Sequence, residues 1–155
     1  MIEGKVDSIH IADQESAPMV AVPSAKVHLG LGIEGDRYFK KTGSFSDKPK
    51  PGREVTLIEV EAIEAMKRDQ GIEIHPGDAR RNIVTRSVPL NHLVGKEFAV
   101  GEVVLRGVGL CEPCSHLAKL TQKEVLMALV HRGGLRAEIV KEGVIHIGDR
   151  IEVKF

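Results

Sequence analysis

The sequence predicts a mainly β, α+β fold: a small closed or partly closed β-barrel of about seven short strands, with two or three helices appended. Three observations lead there. Apolar residues recur in short alternating runs bounded by Gly, Pro, Asp and Asn. Few stretches carry apolar residues at helical spacing, and those that do are not interleaved with strands in a βαβ rhythm. At 155 residues the chain is expected to form a single domain, residues 1–155, which buries about two-thirds of its unfolded surface without disulfides or metal.

Taken in order, Val6, Ile9 and Ile11 make a first strand of Lys5 to Ala12, its alternation broken at Ser8. Met19–Val22 and Ala25–Leu29 are short β pieces around Pro23. Gly30, Gly32 and Gly35 then punctuate a loop ending in Gly35-Asp36-Arg37, at spacings that match no nucleotide-binding fingerprint. From Lys40 to Arg53 the composition turns to Lys, Pro, Gly and Ser and reads as a long loop. Arg53–Ile58 alternates as a strand. Glu59–Gln70 sets Ala62, Ile63, Ala65 and Met66 at helical spacing, with Gly71 as the stop, and is a packing element.

Gly77 to Asn82 is a turn leading into Ile83-Val84, and Leu90–Val94 a helical turn. Lys96–Val100 and Glu102–Val108 are two strands joined at Gly101. Thr121-Gln122-Lys123-Glu124 has capping-box spacing, and Val125, Leu126, Leu129 and Val130 continue it as a helix over 122–131 that Gly133-Gly134 halts. Leu135–Lys141 is a strand, Glu142-Gly143 a turn, and Ile151–Phe155 the last strand.

Charge narrows the function. Lys plus Arg and Asp plus Glu number 22 each, so no global field draws the chain to nucleic acid or membrane. An anionic ligand must be held by a local cluster. Trp is absent and aromatics are few, against a base-stacking platform. Two cysteines in one short stretch make no disulfide framework, and the N-terminal residues form no apolar run of signal or membrane-spanning length; the expected compartment is the cytoplasm.

Chemistry concentrates in Gly109-Leu110-Cys111-Glu112-Pro113-Cys114-Ser115-His116. A thiolate is the strongest nucleophile and softest metal ligand a side chain offers. Cys114 follows a proline that fixes the backbone, and His116 beside it can exchange a proton. The alternative is a buried cysteine packing as a small hydrophobe. Arg80-Arg81-Asn82 is either an anion site, since guanidinium binds phosphate through two parallel hydrogen bonds, or a solvated turn with exposed charges. Two further readings stay open. Cys111 and Cys114 could form a redox pair, or could join His116 and one of His75, His92 or His131 around zinc, although the usual paired ligand spacing is absent. His10 and His28 are satisfied core or surface residues.

Several motifs in order carry a family resemblance: Gly35-Asp36-Arg37, Arg53-Glu54-Val55-Thr56-Leu57, Arg81-Asn82-Ile83-Val84-Thr85, Leu110-Cys111-Glu112-Pro113-Cys114, His131-Arg132-Gly133-Gly134-Leu135-Arg136 and Gly148-Asp149. Together they resemble a stand-alone MOSC domain, the domain found at the C-terminus of molybdenum cofactor sulfurases. The resemblance implies a barrel-like β fold and a molybdopterin-type molybdenum cofactor. It implies Cys114 as the residue that ligates molybdenum or carries a persulfide; His116, from its place beside Cys114, is the expected catalytic partner. Arg37, Arg53, Arg81, Asn82, Arg132 and Arg136 are implied as cofactor-binding residues, and no role is implied for Cys111. The activity implied is sulfur transfer or, as in the mitochondrial amidoxime-reducing component, molybdenum-dependent reduction of N-hydroxylated compounds. No pyridoxal phosphate module accompanies the resemblance, so sulfur is expected from a separate donor such as a cysteine desulfurase, or electrons from a transfer partner. A monomer or homodimer is expected.

Overall fold

Alternation along each strand leaves one face apolar, and a sheet with one apolar face buries it most completely by closing on itself. In β8 (Val103–Leu110) and β9 (Leu135–Lys141), for example, Val103, Leu105, Leu135, Ala137 and Ile139 point inward, while Arg106 stands in solvent and Arg136 and Glu138 are half-buried. The computed structural model describes residues 2–14, 16–39, 54–111 and 128–153. Within them the other strands are β1 (Ile2–Ile11), β2 (Val20–Ala21), β3 (Ser24–His28), β4 (Gly32–Ile33), β5 (Val55–Glu59), β6 (Ile83–Arg86), β7 (Glu97–Val100), β10 (Gly143–His146) and β11 (Arg150–Val153). The helix α1 is Val60–Gln70, and single 3-10 turns occupy Pro76–Ala79 and Leu90–Leu93.

Seven strands close in the order β11-β7-β8-β9-β5-β6-β1, sealed by β1 against β11. Among the described strands only β5 and β6 pair in parallel; α1 is the connection that permits it. Inside lie Val6, Ile9, Leu57, Ile83, Leu90, Leu105, Leu135 and Ile151. The break of alternation at Ser8 is a bulge, where the pairing with β6 shifts register between Val6 and Ser8.

Four of five residues in β5 are buried, because its outer face is covered as well. Ile58 and Val84 pack there against Val60, Ile63 and Met66 of α1, with Ala79 and Leu129 completing a second core. The Gly71 stop is as the sequence predicts: at φ 70° its N–H reaches the Lys67 carbonyl at 3.1 Å, and that of Ile72 reaches Met66 at 3.1 Å.

Two expectations need correction. Gly143, expected in a turn with Glu142, instead opens a strand, β10, which pairs with β3 and, through β3, with β4 as a small side sheet. Ile145 of β10 is fully buried, so burial against the barrel makes a strand of a stretch too short to show alternation. The first strand begins at Ile2, earlier than Lys5, because β11 offers partners from Ile2 to Lys5. The helix expected over 122–131 falls mostly outside the described residues; Ala128 is helical and Leu129–Arg132 form a turn. Cys114, His116, Arg53 and the 40–52 loop also lie outside them. No helix among the described residues is long and apolar enough to cross a membrane.

Candidate functional site

Three consecutive residues at the entrance to β6 tie together segments that are remote in sequence. Arg80 takes a left-handed backbone, φ 60°, as the chain leaves the 3-10 turn, and Arg80, Arg81 and Asn82 are only 9, 8 and 1% exposed. A solvated turn with exposed charges is therefore excluded. Buried polar groups of this kind persist only when they find partners, and each of the three finds its own.

Asn82 binds the barrel wall. Its Oδ1 accepts the Thr56 N–H at 3.1 Å and the Thr56 hydroxyl at 3.2 Å, and its Nδ2 donates to the His10 carbonyl at 3.2 Å. Its backbone N–H donates to the Thr56 carbonyl at 3.0 Å, and its carbonyl accepts the His10 N–H at 2.7 Å. One amide thus joins β5, β6 and β1.

Arg81 binds the base of the cysteine segment. Its Nε donates to the Gly133 carbonyl at 2.7 Å and its Nη2 to the Cys111 carbonyl at 3.1 Å. The β8–β9 ladder, paired through Leu110 and Leu135, is prolonged by the Cys111 N–H to the Gly134 carbonyl at 2.7 Å. Cys111 and Gly133 bracket the residues that include Cys114 and His116, so one guanidinium holds both sides of that stretch. Gly134 is required here: its φ is 114°, and a Cβ would fall on the Leu57 carbonyl oxygen.

Arg80 turns the other way, donating from Nη1 to the Ala17 carbonyl at 2.7 Å. It lines a cleft of about 210 Å³ with Ser16, Pro18, Met19, Gly77 and Asp78. Arg37, 6% exposed, stands close enough that its charge, after burial itself, pushes the Arg80 pKa down. Arg37 Nη1 donates to Asp36 Oδ1 at 3.3 Å and approaches Met19 Sδ at 3.4 Å, and its guanidinium covers the Tyr38 ring at 4.6 Å. Asp36 is fully buried; Oδ1 also accepts the Ala12 N–H at 3.1 Å, and Oδ2 has no hydrogen-bond partner among the described residues. His10, 7% exposed, bonds Ser8 Oγ through Nε2 at 2.8 Å, and burial lowers its pKa against the opposing charge of Asp78.

The remaining cations differ in setting. Arg136, half-buried, pairs with Thr56 on one side and Gly109 on the other, and a Cβ on Gly109 would lie 2.9 Å from its Nη2. Arg132 stands in solvent. A second cleft, of about 340 Å³, lies at the other end of β1 beside Lys5, Arg86 and Arg150. Its arginines pair with Asp7, Glu64, Glu3 and Glu152, and it holds none of the expected site residues. Among the described residues no three His, Cys, Asp or Glu side chains gather as a metal site.

The structure therefore brings Arg81, Asn82 and Cys111 together, with Arg37 and Arg80 on the far side of the same tripeptide. Arg80 is the residue the motif comparison passed over. Its sequence signal was only adjacency to Arg81.

A closed seven-strand mixed barrel with the motifs on these strand ends is the architecture of a MOSC domain. The MOSC domain family model matches residues 25–152, and the chain belongs to that family. Among solved structures it is similar to the YuaD protein from Bacillus subtilis, with a TM-score of 0.80 at 19% identity, covering 97% of this chain and 94% of that one. It is also similar to YiiM from Geobacillus stearothermophilus, with a TM-score of 0.74 at 14% identity over 97% of this chain and 75% of that one. For YiiM from Escherichia coli the values are 0.72, 16%, 100% and 71%. At these identities the likeness is one of fold. No curated protein sequence matches the chain.

Proposed function

We propose that this MOSC domain binds a molybdopterin-type cofactor or carries sulfur for it, with the Cys114 thiolate as molybdenum ligand or persulfide carrier. The observation that carries the reading is the Arg81 clamp on the carbonyls of Cys111 and Gly133, which gives the segment containing Cys114 a rigid base on the barrel. The donor set suits such a group. The guanidiniums of Arg37 and Arg80, both buried near the Asp36 carboxylate, are of the type that hydrogen-bonds an anionic ligand such as a phosphate.

When bound, the cofactor supplies redox-active metal and sulfur chemistry; the chain supplies position and electrostatics. Arg37, Arg80 and the half-buried Arg136 would hold its anionic part, with the exposed Arg132 and, from the family motifs, Arg53 as further candidates. Asn82 and Arg81 act by fixing the strand ends and the cysteine segment. His116 is the proton partner beside Cys114, and a separate sulfur donor or electron-transfer protein completes the function.

The test is to purify the chain from a host that makes molybdopterin and to assay molybdenum, pterin and persulfide in wild type, Cys114→Ser and Cys111→Ser. Loss of metal or persulfide from the Cys114 variant alone is the expected result. Zinc retained through both sulfurs, or a two-electron potential abolished by either change, would replace this reading.

A further inference from the structure

We propose that Met19 is a site of reversible oxidation by peroxide, and that its sulfoxide oxygen becomes a hydrogen-bond acceptor for Arg37 and shifts that guanidinium on the Tyr38 ring. The inference goes beyond the cofactor reading and does not depend on it.

Two of the chain's four methionines lie among the described residues, and their settings are opposite. Met66 is 1% exposed in the second core, packed against Ile58, Val84 and Leu129. Met19 is half-buried and lines the cleft of about 210 Å³ together with Pro18, Asp78 and Arg80. A cleft of that size admits a peroxide, a molecule little larger than a water and its share of about 30 Å³. The Met19 sulfur is also not packed as a simple apolar filler, because Arg37 Nη1 donates to Sδ at 3.4 Å.

The reaction is an oxygen transfer. A sulfur lone pair attacks one oxygen of hydrogen peroxide, the O–O bond breaks and an S–O bond forms. The proton on the transferred oxygen passes to the departing one, which leaves as water; sulfur loses two electrons and the peroxide gains them. One lone pair is turned to Arg37, so the other takes the oxygen. Rotation about the unbranched side chain then presents that oxygen to the guanidinium.

What changes is the strength of the acceptor. A thioether sulfur is a weak one, whereas the sulfoxide is polar, and a charged donor favours it. The nitrogen concerned is the same one that donates to Asp36 Oδ1 at 3.3 Å, longer than the roughly 2.7–3.2 Å of a good N–H···O bond. That contact has room to lengthen or turn. Sulfur and nitrogen at 3.4 Å leave no space for an oxygen between them, so the guanidinium must move to meet it. It covers the Tyr38 ring at 4.6 Å, and the movement is felt there. Oxidation thus acts on a residue of the proposed cofactor site, a consequence that alone rests on that reading.

The experiment treats the full chain with hydrogen peroxide. Peptide mass spectrometry should place one added oxygen on Met19 about tenfold faster than on Met66, which reacts only when the core opens. A methionine sulfoxide reductase supplied with thiol should remove it. Tyr38 is the single tyrosine of the chain, so ring-fluorinated tyrosine gives one fluorine resonance. Oxidation should replace that resonance by a second one in step with the added mass, and the Arg37 Nε–H resonance should move with it. Met19→Leu, close in volume, should show neither change under the same peroxide, and Met19→Gln, which carries a polar oxygen, should shift the Tyr38 resonance without peroxide. Oxidation of Met66 as fast as Met19, Tyr38 and Arg37 resonances that ignore the oxygen on Met19, or a full response in Met19→Leu overturns the proposal.

Discussion

Replacing Asn82 by alanine tests whether this residue is part of the frame. The substitution removes three side-chain hydrogen bonds at a position 1% exposed. The Thr56 hydroxyl can rotate to another acceptor, but the Thr56 N–H and the His10 carbonyl are backbone groups in a buried seam and cannot. Each orphaned group costs about 1–3 kcal/mol, so the loss should be about 4 kcal/mol, a large part of the roughly 5–15 kcal/mol that holds a domain together. Urea unfolding should show a lower midpoint at unchanged slope, with a fall in Tm of roughly 10 °C. Asn82→Asp keeps an acceptor for Thr56 but sets a carboxylate against the His10 carbonyl, and should cost a similar amount. Thr56→Val combined with Asn82→Ala should be less than additive, since the two share a bond. A cost for Asn82→Ala under about 1 kcal/mol, the range of ordinary surface changes, would refute the assignment of Asn82 to the frame.

Two other outcomes follow from the same geometry. Gly134→Ala sets a Cβ on the Leu57 carbonyl oxygen at a φ of 114°, and should cost about 3 kcal/mol or more; a Tm within a few degrees of wild type would show that the junction can shift aside. Burial, and after it the Glu61 charge, raises the Glu59 pKa, so the folded chain holds that proton more tightly than the unfolded one. Stability from this group therefore falls as pH rises from the ordinary carboxylate range through the raised value. Glu59→Gln should be more stable than wild type above that window and alike below it; parallel urea midpoints across the pH series would contradict the cause given.

The sequence by itself determined what depends on near neighbours. Period-two runs set the strands of a mainly β fold, and the apolar stripe ending at Gly71 set α1, because both periodicities are properties of a single local backbone conformation. The ordered motifs pointed to the MOSC family and to Cys114. Tertiary structure alone decided the closure of β1 on β11, the strand made of Gly143–His146, and above all the use of Arg80-Arg81-Asn82. Seen in sequence, that tripeptide is equally a wet turn or an anion site. Its partners are Ala17, Gly133, Cys111, Thr56 and His10, all far along the chain, and only their arrival fixes where each side chain turns. A buried guanidinium needs acceptors before it can be buried at all, and no local pattern records where in the chain those acceptors lie.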